Sequence, residues 1–175
     1  MKTRKILVGI AAVAALLSGI YYFMGEKYKT KEQKTQTVVI PEAPPINELP
    51  DLEVLMADQS KINLRDVSGD VMLIFFNPDC EHCQDEAREI AAAKPAFEKW
   101  QLYFITSMDA KLAAEFAVNY RLTEPNYHFG HAGVPEVFNS VGALTQVPTI
   151  LVYKKSRFIN KFEGPGTISQ VQTLL

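Results

Sequence analysis

The feature that most constrains the fold is a continuous apolar run that ends just before a closely spaced pair of cysteines. Residues 71–77 read VMLIFFN, which is typical of a short strand buried on both faces of a sheet. Cys80 and Cys83 follow, and residues 83–100 then show the apolar spacing of a helix. This order predicts an α/β domain with its cysteines at the junction of a buried strand and a helix.

The cysteine pair is better explained by chemistry than by structural cross-linking. The sequence has only two cysteines, and two residues separate them. A structural disulfide stabilises mainly by closing a long loop in the unfolded chain, and a bridge across two residues closes almost none. A helix N-terminus offers free N–H donors and a partial positive charge, which stabilise a thiolate. We therefore predict that Cys80 attacks a disulfide as a thiolate and that the more buried Cys83 resolves the mixed disulfide.

Three neighbours of Cys80 carry ionisable side chains and are predicted to modulate it. His82 adds positive charge when it is protonated and favours the thiolate, whereas Asp79 and Glu81 act in the opposite direction. Because these charges oppose one another, the sequence does not determine the reduction potential.

Composition excludes few function classes. Hydrophobic residues make up 47% of the 175 residues, enough for one domain with a core, and the net charge is −2. Nearly balanced charge gives no indication of a nucleic-acid partner. Nothing in the sequence requires a cofactor or a resident metal.

The N-terminal segment predicts a membrane anchor. Residues 6–24 form an uncharged run of 19 residues, long enough to cross a bilayer as a helix, and basic residues precede it. Its length favours an uncleaved anchor over a cleaved signal peptide. We predict three parts: a transmembrane helix at 1–24, a Lys- and Pro-rich extracytoplasmic linker at 25–48, and the folded domain at 49–175. The expected location is the cell membrane, in a single pass, with the domain on the periplasmic side.

Within the domain, strands and helices alternate and a hairpin follows. We predict strands at 52–57, 61–64, 71–77, 101–106, 149–153 and 157–162, and helices at 83–100, 110–120, 135–141 and 168–175. Pro95 is expected to kink or divide the first helix. Residues 121–134, rich in Gly, Pro and aromatic side chains, are expected to be irregular.

The segments FFNPDCEHC and TQVPTILVY together resemble the thioredoxin superfamily over residues 49–175. The predicted anchor, the linker and the segment that leads into FFNPDCEHC are similar to the membrane-bound TlpA/ResA type. This resemblance implies a thioredoxin-like fold with a mixed central sheet flanked by helices, and thiol–disulfide exchange on exported proteins by a monomer. In that superfamily the proline at the position of Pro148 is cis and lies beside the cysteines, so Val147 and Pro148 are expected to contact substrate.

The chain departs from the family pattern around the cysteines. Asp79 stands where a tryptophan is usual, and Ile74 stands where plain thioredoxin has a buried acid. The TlpA/ResA type often supplies a glutamate from an insertion, which would lie within residues 110–144 here. Glu124 and Glu136 are therefore both candidates for proton transfer.

Several functions remain open at this point. The resemblance favours a reductase fed by a membrane electron donor, although a histidine before the second cysteine also resembles strong disulfide-forming oxidants. Cys80, His82 and Cys83, with His128 or His131, would suit copper or zinc in a metal chaperone. A thiol peroxidase would normally carry Thr or Ser at the position of Asn77.

Overall fold

The computed structural model describes residues 48–174. The predicted transmembrane helix at 1–24 lies outside the described residues, as does the predicted linker except for Glu48. Within residues 48–174, no helix combines the length and the apolar character needed to cross a membrane.

Seven strands and four α-helices make up the domain. The strands are β1 Glu53–Met56, β2 Lys61–Asn63, β3 Val71–Phe75, β4 Gln101–Thr106, β5 Tyr127–His131, β6 Thr149–Lys154 and β7 Arg157–Glu163. The helices are α1 Glu81–Ala92, α2 Ala110–Asn119, α3 Val134–Val141 and α4 Thr167–Gln172. Short 3₁₀ helices cover Leu64–Asp66 and Lys94–Phe97.

All seven strands form one mixed sheet in the order β2-β1-β5-β4-β3-β6-β7. Strand β3 lies in the interior of the sheet, because it pairs in parallel with β4 and antiparallel with β6. The two end pairs, β1 with β2 and β6 with β7, are antiparallel. This arrangement confirms the predicted thioredoxin-like α/β fold with a mixed sheet flanked by helices.

Every residue of β3 is buried, because each face of the sheet carries its own core. Met72 and Ile74 pack with α1, α2 and α4 on one face. Leu73 and Phe75 pack with α3 on the other face. A strand covered on both sides has no solvent-facing position, which explains the continuous apolar run in the sequence.

The prediction of irregular structure over residues 121–134 was wrong where β5 lies. This strand pairs in parallel with β4 and antiparallel with β1. Gly130 is required at the β1 contact, because a Cβ atom there would lie 2.5 Å from Val54 Cγ1 and 2.8 Å from the Leu55 carbonyl oxygen. By composition, Gly130 contributed to the prediction of a loop. In the structure it instead allows strands β1 and β5 to approach each other closely.

The other predicted elements are confirmed to within a few residues at their ends. The largest difference concerns the helix predicted at 83–100. Helix α1 begins two residues earlier, at Glu81, and ends at Ala92 before the 3₁₀ helix that contains Pro95. Proline lacks the N–H that a continuing helix needs, so it divides the segment.

Candidate active site

The cysteines lie where central strand β3 ends and helix α1 begins. Cys80 is the N-cap residue of α1, with extended backbone dihedrals. The turn before it is held by Asn77, whose carbonyl oxygen accepts the Cys80 N–H at 3.0 Å and whose side-chain oxygen accepts the Asp79 N–H at 2.9 Å. The sequence-based placement of Cys80 at the helix N-terminus is therefore what the structure shows.

The two thiols differ in exposure, and the pKa of the buried thiol is raised. Both cysteines are free; Cys80 is half-buried, and the side chain of Cys83 is only 3% exposed. Burial raises the pKa of the Cys83 thiol to about 12, and the nearby Cys80 and Glu86 add to the increase. A hydrogen bond from the Asn77 backbone opposes this rise without cancelling it. Cys83 is thus held as a neutral thiol beneath an accessible Cys80.

Val147 faces Cys80 from the other side of the site. The Cys80 thiol contacts the Val147 carbonyl oxygen at 3.8 Å, and the bond between Val147 and Pro148 is cis. Strand pairing sets this proximity, because Phe75 at the end of β3 lies opposite Thr149 at the start of β6. The segments that follow β3 and precede β6 therefore meet at one edge of the sheet.

Asp79, Glu81 and His82 surround Cys80 with exposed ionisable side chains. None of the three takes part in an ion pair within residues 48–174.

Glu86 is a candidate functional residue that the sequence analysis missed. It is 3% exposed, and its carboxylate accepts hydrogen bonds from the Thr167 N–H at 2.6 Å, the Thr167 hydroxyl at 2.5 Å and the Ile168 N–H at 3.1 Å. Burial raises the pKa of Glu86, although the hydrogen bonds from Thr167 act against that shift. The carboxylate thus joins the first turn of α4 to the helix that carries the cysteines.

The sequence did contain a signal for Glu86. The buried residues of α1 are Cys83, Glu86, Ala87 and Ile90, which is the spacing of one helix face. A glutamate on the apolar face of a helix, one turn after a reactive cysteine, is rarely buried without a partner. That position, rather than overall composition, indicated a carboxylate close to the thiols.

The two glutamates predicted for proton transfer lie at opposite ends of the sheet. Glu124 precedes β5, at the sheet end opposite the cysteines, and forms an ion pair with Lys94 at 2.6 Å. Glu136 is exposed in the first turn of α3, which follows β5 at the cysteine end. The charge of Glu86 contributes to the raised pKa of the Cys83 thiol.

His128 and His131, the two histidines considered as metal ligands, contact different hydrogen-bond partners. The His128 Nε2 atom lies 2.7 Å from Gln101 Oε1, and the ring stacks on Tyr103. The His131 Nδ1 atom lies 2.6 Å from the Met108 carbonyl oxygen. In the described part of the chain, no three His, Cys, Asp or Glu side chains are grouped to hold a metal ion.

A mixed sheet flanked by helices, with a cysteine pair at the start of a helix and an X–Pro segment facing it, defines a thioredoxin-like protein of thiol chemistry. The chain belongs to the AhpC/TSA family, whose model matches residues 45–161. This family and fold indicate thiol–disulfide oxidoreductase or peroxidase activity. No curated protein sequence matches the chain.

Solved structures support the fold at low sequence identity. A secreted disulfide oxidoreductase of Mycobacterium tuberculosis, homologous to DsbE of E. coli, has a TM-score of 0.56 and 14% identity, with coverage of 71% of this chain and 96% of that one. Arabidopsis thaliana ScoI with copper bound has a TM-score of 0.56 and 13% identity, covering 73% and 94%. A peroxiredoxin-like protein from Aquifex aeolicus has a TM-score of 0.56 and 10% identity, covering 78% and 91%.

Proposed function

We propose that this protein is a thiol–disulfide oxidoreductase that reduces disulfides in other proteins through Cys80 and Cys83. The observation that carries the proposal is the difference between the two thiols. Cys80 is accessible and contacts Val147, whereas Cys83 is buried with its pKa raised to about 12. Cys80 is thus accessible for attack on a substrate disulfide, and the buried Cys83 thiol acts in the second step.

In the first step, the Cys80 thiolate attacks one sulfur of a substrate disulfide. A Cys80–substrate disulfide forms, the substrate S–S bond breaks, and the departing substrate thiolate takes a proton from water. The N-terminus of α1 stabilises the attacking thiolate, because its free N–H groups and helix dipole favour negative charge there. The Val147 carbonyl lies beside the new bond, so its backbone is placed to pair with the substrate segment.

In the second step, the Cys83 thiol loses a proton and attacks Cys80. The Cys80–Cys83 disulfide forms, and the second substrate sulfur leaves as a thiolate. Two electrons have then passed from the protein to the substrate. We propose that Glu86 receives the Cys83 proton in place of Glu124 or Glu136, because it lies one helical turn away and its pKa is raised by burial.

We further propose that the domain works outside the cytoplasm and receives electrons from a membrane partner. The support is the uncharged run at residues 6–24, with basic residues before it. A reductase in an oxidising compartment needs a supply of electrons across the membrane, because its dithiol is not restored there by the cytosolic thiol pool.

A peroxidase is the second function that family membership allows. Asn77 occupies the position where a peroxidase would normally carry Thr or Ser, and its side-chain oxygen already accepts the Asp79 N–H. This side chain therefore holds the turn before Cys80 instead of being free to orient a peroxide. The turn geometry favours disulfide exchange over peroxide reduction.

The decisive measurement is the reduction potential of the cysteine pair in the full chain. We expect a reversible two-electron couple at or below the glutathione range of about −220 to −260 mV, as for a reductase. A value near about −120 mV would instead indicate a disulfide-forming oxidant. If no reversible disulfide forms between Cys80 and Cys83, the oxidoreductase proposal fails.

Stoichiometric copper or zinc in the reduced protein, lost in His128→Ala or His131→Ala, would support the metal-chaperone alternative.

Substrate trapping gives an independent test. The Cys83→Ala variant is expected to accumulate mixed disulfides with its protein substrates, because the resolving thiol is absent. Cys80→Ala is the matched control and is expected to trap none. The mixed disulfides are followed on non-reducing gels. Equal trapping by both variants would show that the captured proteins are not held through Cys80.

A further inference from the structure

We infer that a cavity at the sheet end opposite the cysteines binds a small organic amine, in which an ammonium group is carried on an apolar body about the size of an aromatic ring. The inference goes beyond the proposed function and does not depend on it, because neither Cys80 nor Cys83 lines the cavity. Its support comes from the size of the cavity, the charge of its lining and a buried tyrosine hydroxyl that lacks a hydrogen-bond partner.

The cavity lies around the start of β5, where the sheet is incompletely paired. Strand β4 pairs with all five residues of β5, but β1 pairs only with Gly130 and His131 at its far end. The β1–β2 turn forms one wall of the opening, and the last part of α2 with the segment after it forms another. The volume of about 500 Å³ is typical of sites that bind small molecules.

Most of the cavity lining is apolar, and its charged side chains are acidic. Met56 and Phe129 are among the apolar residues, whereas Asp58 and Glu124 carry negative charge. Among residues 48–174, no Lys or Arg lines the cavity. Burial lowers the pKa of His128, which also lines it, so this ring adds no positive charge at neutral pH. A ligand with an apolar body and a positive group therefore complements the cavity.

Each of the two carboxylates keeps one oxygen available to an ammonium group. The Ser60 hydroxyl and N–H donate to Oδ1 of Asp58 and lower its pKa, so this carboxylate is charged at neutral pH. Lys94 donates to Oε1 of Glu124 at 2.6 Å. Within residues 48–174, neither Oδ2 of Asp58 nor Oε2 of Glu124 accepts a hydrogen bond.

Tyr127 supplies a third polar group. It lines the cavity and is 8% exposed, and its buried hydroxyl has no hydrogen-bond partner in the described part of the chain. Burial raises the pKa of Tyr127 to about 12, and the nearby charge of Glu124 adds to the rise. A buried hydroxyl without a partner costs free energy, which a bound donor recovers. An ammonium group that pairs with Glu124 is such a donor.

The test is a titration of the full chain with 2-phenylethylamine, followed by the NMR shifts of backbone amides. Two compounds of similar shape serve as comparisons, because 2-phenylethanol is neutral and 3-phenylpropionate is an anion. We expect the amine to bind about tenfold more tightly than either, which is the effect of one charge-assisted hydrogen bond. The shifts are expected at residues 57–60 and 123–129. High salt is expected to reduce the preference for the amine, because Asp58 is exposed.

Substitutions of the charged groups assign the preference to the cavity. Asp58→Asn and Glu124→Gln are each expected to reduce the preference for the amine severalfold, with Glu98→Gln as the control outside the cavity. Lys94→Gln breaks the same ion pair as Glu124→Gln but keeps the carboxylate. It is therefore expected to bind the amine at least as tightly as the wild type does.

The tyrosine hydroxyl is tested separately. Tyr127→Phe removes an atom that has no partner within residues 48–174, so the described fold loses no hydrogen bond. This variant is expected to bind 2-phenylethylamine about fivefold more weakly, which is the effect of one hydrogen bond. Tyr120→Phe changes a tyrosine outside the cavity and is expected to bind the amine as the wild type does.

Three results would overturn the inference. The first is equal affinity for the amine, the alcohol and the carboxylate. The second is a set of shifts confined to the amides around Cys80. The third is equal weakening by Glu124→Gln and Lys94→Gln, which would trace the loss to the broken ion pair and not to the negative charge. None of these measurements depends on the redox state of the cysteines, so the proposed function is tested independently.

Discussion

The thiol of Cys80 contacts the carbonyl oxygen of Val147 at 3.8 Å, although 67 positions separate the two residues in the chain. The contact exists because β3 and β6 pair antiparallel, with Phe75 opposite Thr149. The segment after β3 carries the nucleophile, and the segment before β6 carries the backbone that faces it. Under the proposed function, a substrate segment joined to Cys80 lies beside the Val147 backbone.

The exposure difference between the thiols predicts selective alkylation. In the native reduced protein at pH 8, we expect iodoacetamide to modify Cys80 and to leave Cys83 unmodified, because burial keeps Cys83 protonated with a pKa of about 12. Mass spectrometry would show one added group in the native protein and two in denaturant. Two rapid modifications of the native protein would contradict the described state of Cys83.

Glu86→Gln is expected to lower the pKa of Cys83, because the carboxylate charge is one of the causes that raise it. The measurement is the alkylation rate of Cys83 in a Cys80→Ala background, which we expect to rise severalfold, since one pKa unit changes the thiolate fraction about tenfold. Thr167→Ala is the control, because it removes the hydroxyl hydrogen bond to Glu86 but keeps the Glu86 carboxyl group. An equal increase in both variants would mean that α4 had loosened and that charge was not the cause.

We expect protonation of the buried His128 ring to reduce the stability of the fold in acid. Burial lowers its pKa below the ordinary value of 6.5, so folding favours the neutral ring. The stability from this group is present above pH 6.5 and is lost as pH falls through the lowered pKa. We expect the free energy of unfolding, measured by urea titration, to fall less between about pH 7 and pH 5 in His128→Gln than in the wild type. An equal fall in the two proteins would contradict the burial of a neutral His128 ring.

Gly130→Ala is expected to destabilise the fold. The new methyl group would lie within 3 Å of both Val54 and the Leu55 carbonyl, so β1 and β5 would have to separate. We expect a cost of about 1–3 kcal/mol, as for overpacking of a core, measured by urea or thermal unfolding. Gly133→Ala is the matched control, because the three atoms nearest to a Cβ there all belong to the flexible Glu136 side chain. An unchanged midpoint for Gly130→Ala would contradict the close strand contact.

The sequence alone determined the order of the elements around the cysteines. A short run of apolar residues without polar interruption, rich in Val, Ile and Phe, is typical of a strand covered on both faces, so β3 was predictable from local pattern. The same holds for α1, whose apolar spacing and Pro95 indicated both its existence and its division. The position of Cys80 at the helix N-terminus follows from these two elements and needs no tertiary information.

Tertiary structure decided what lies beside the thiols. Strand β5 was not predictable, because Gly130 and the histidines of YHFGH weaken the local strand pattern, and its pairing with β4 and β1 overrides that weakness. Glu86 faces α4 because helices distant in sequence pack on the same face of the sheet, whereas Glu124 is carried to the opposite end by the direction of β5. Local pattern specifies which residues form an element, but the strand order and register determine which side chains share a site.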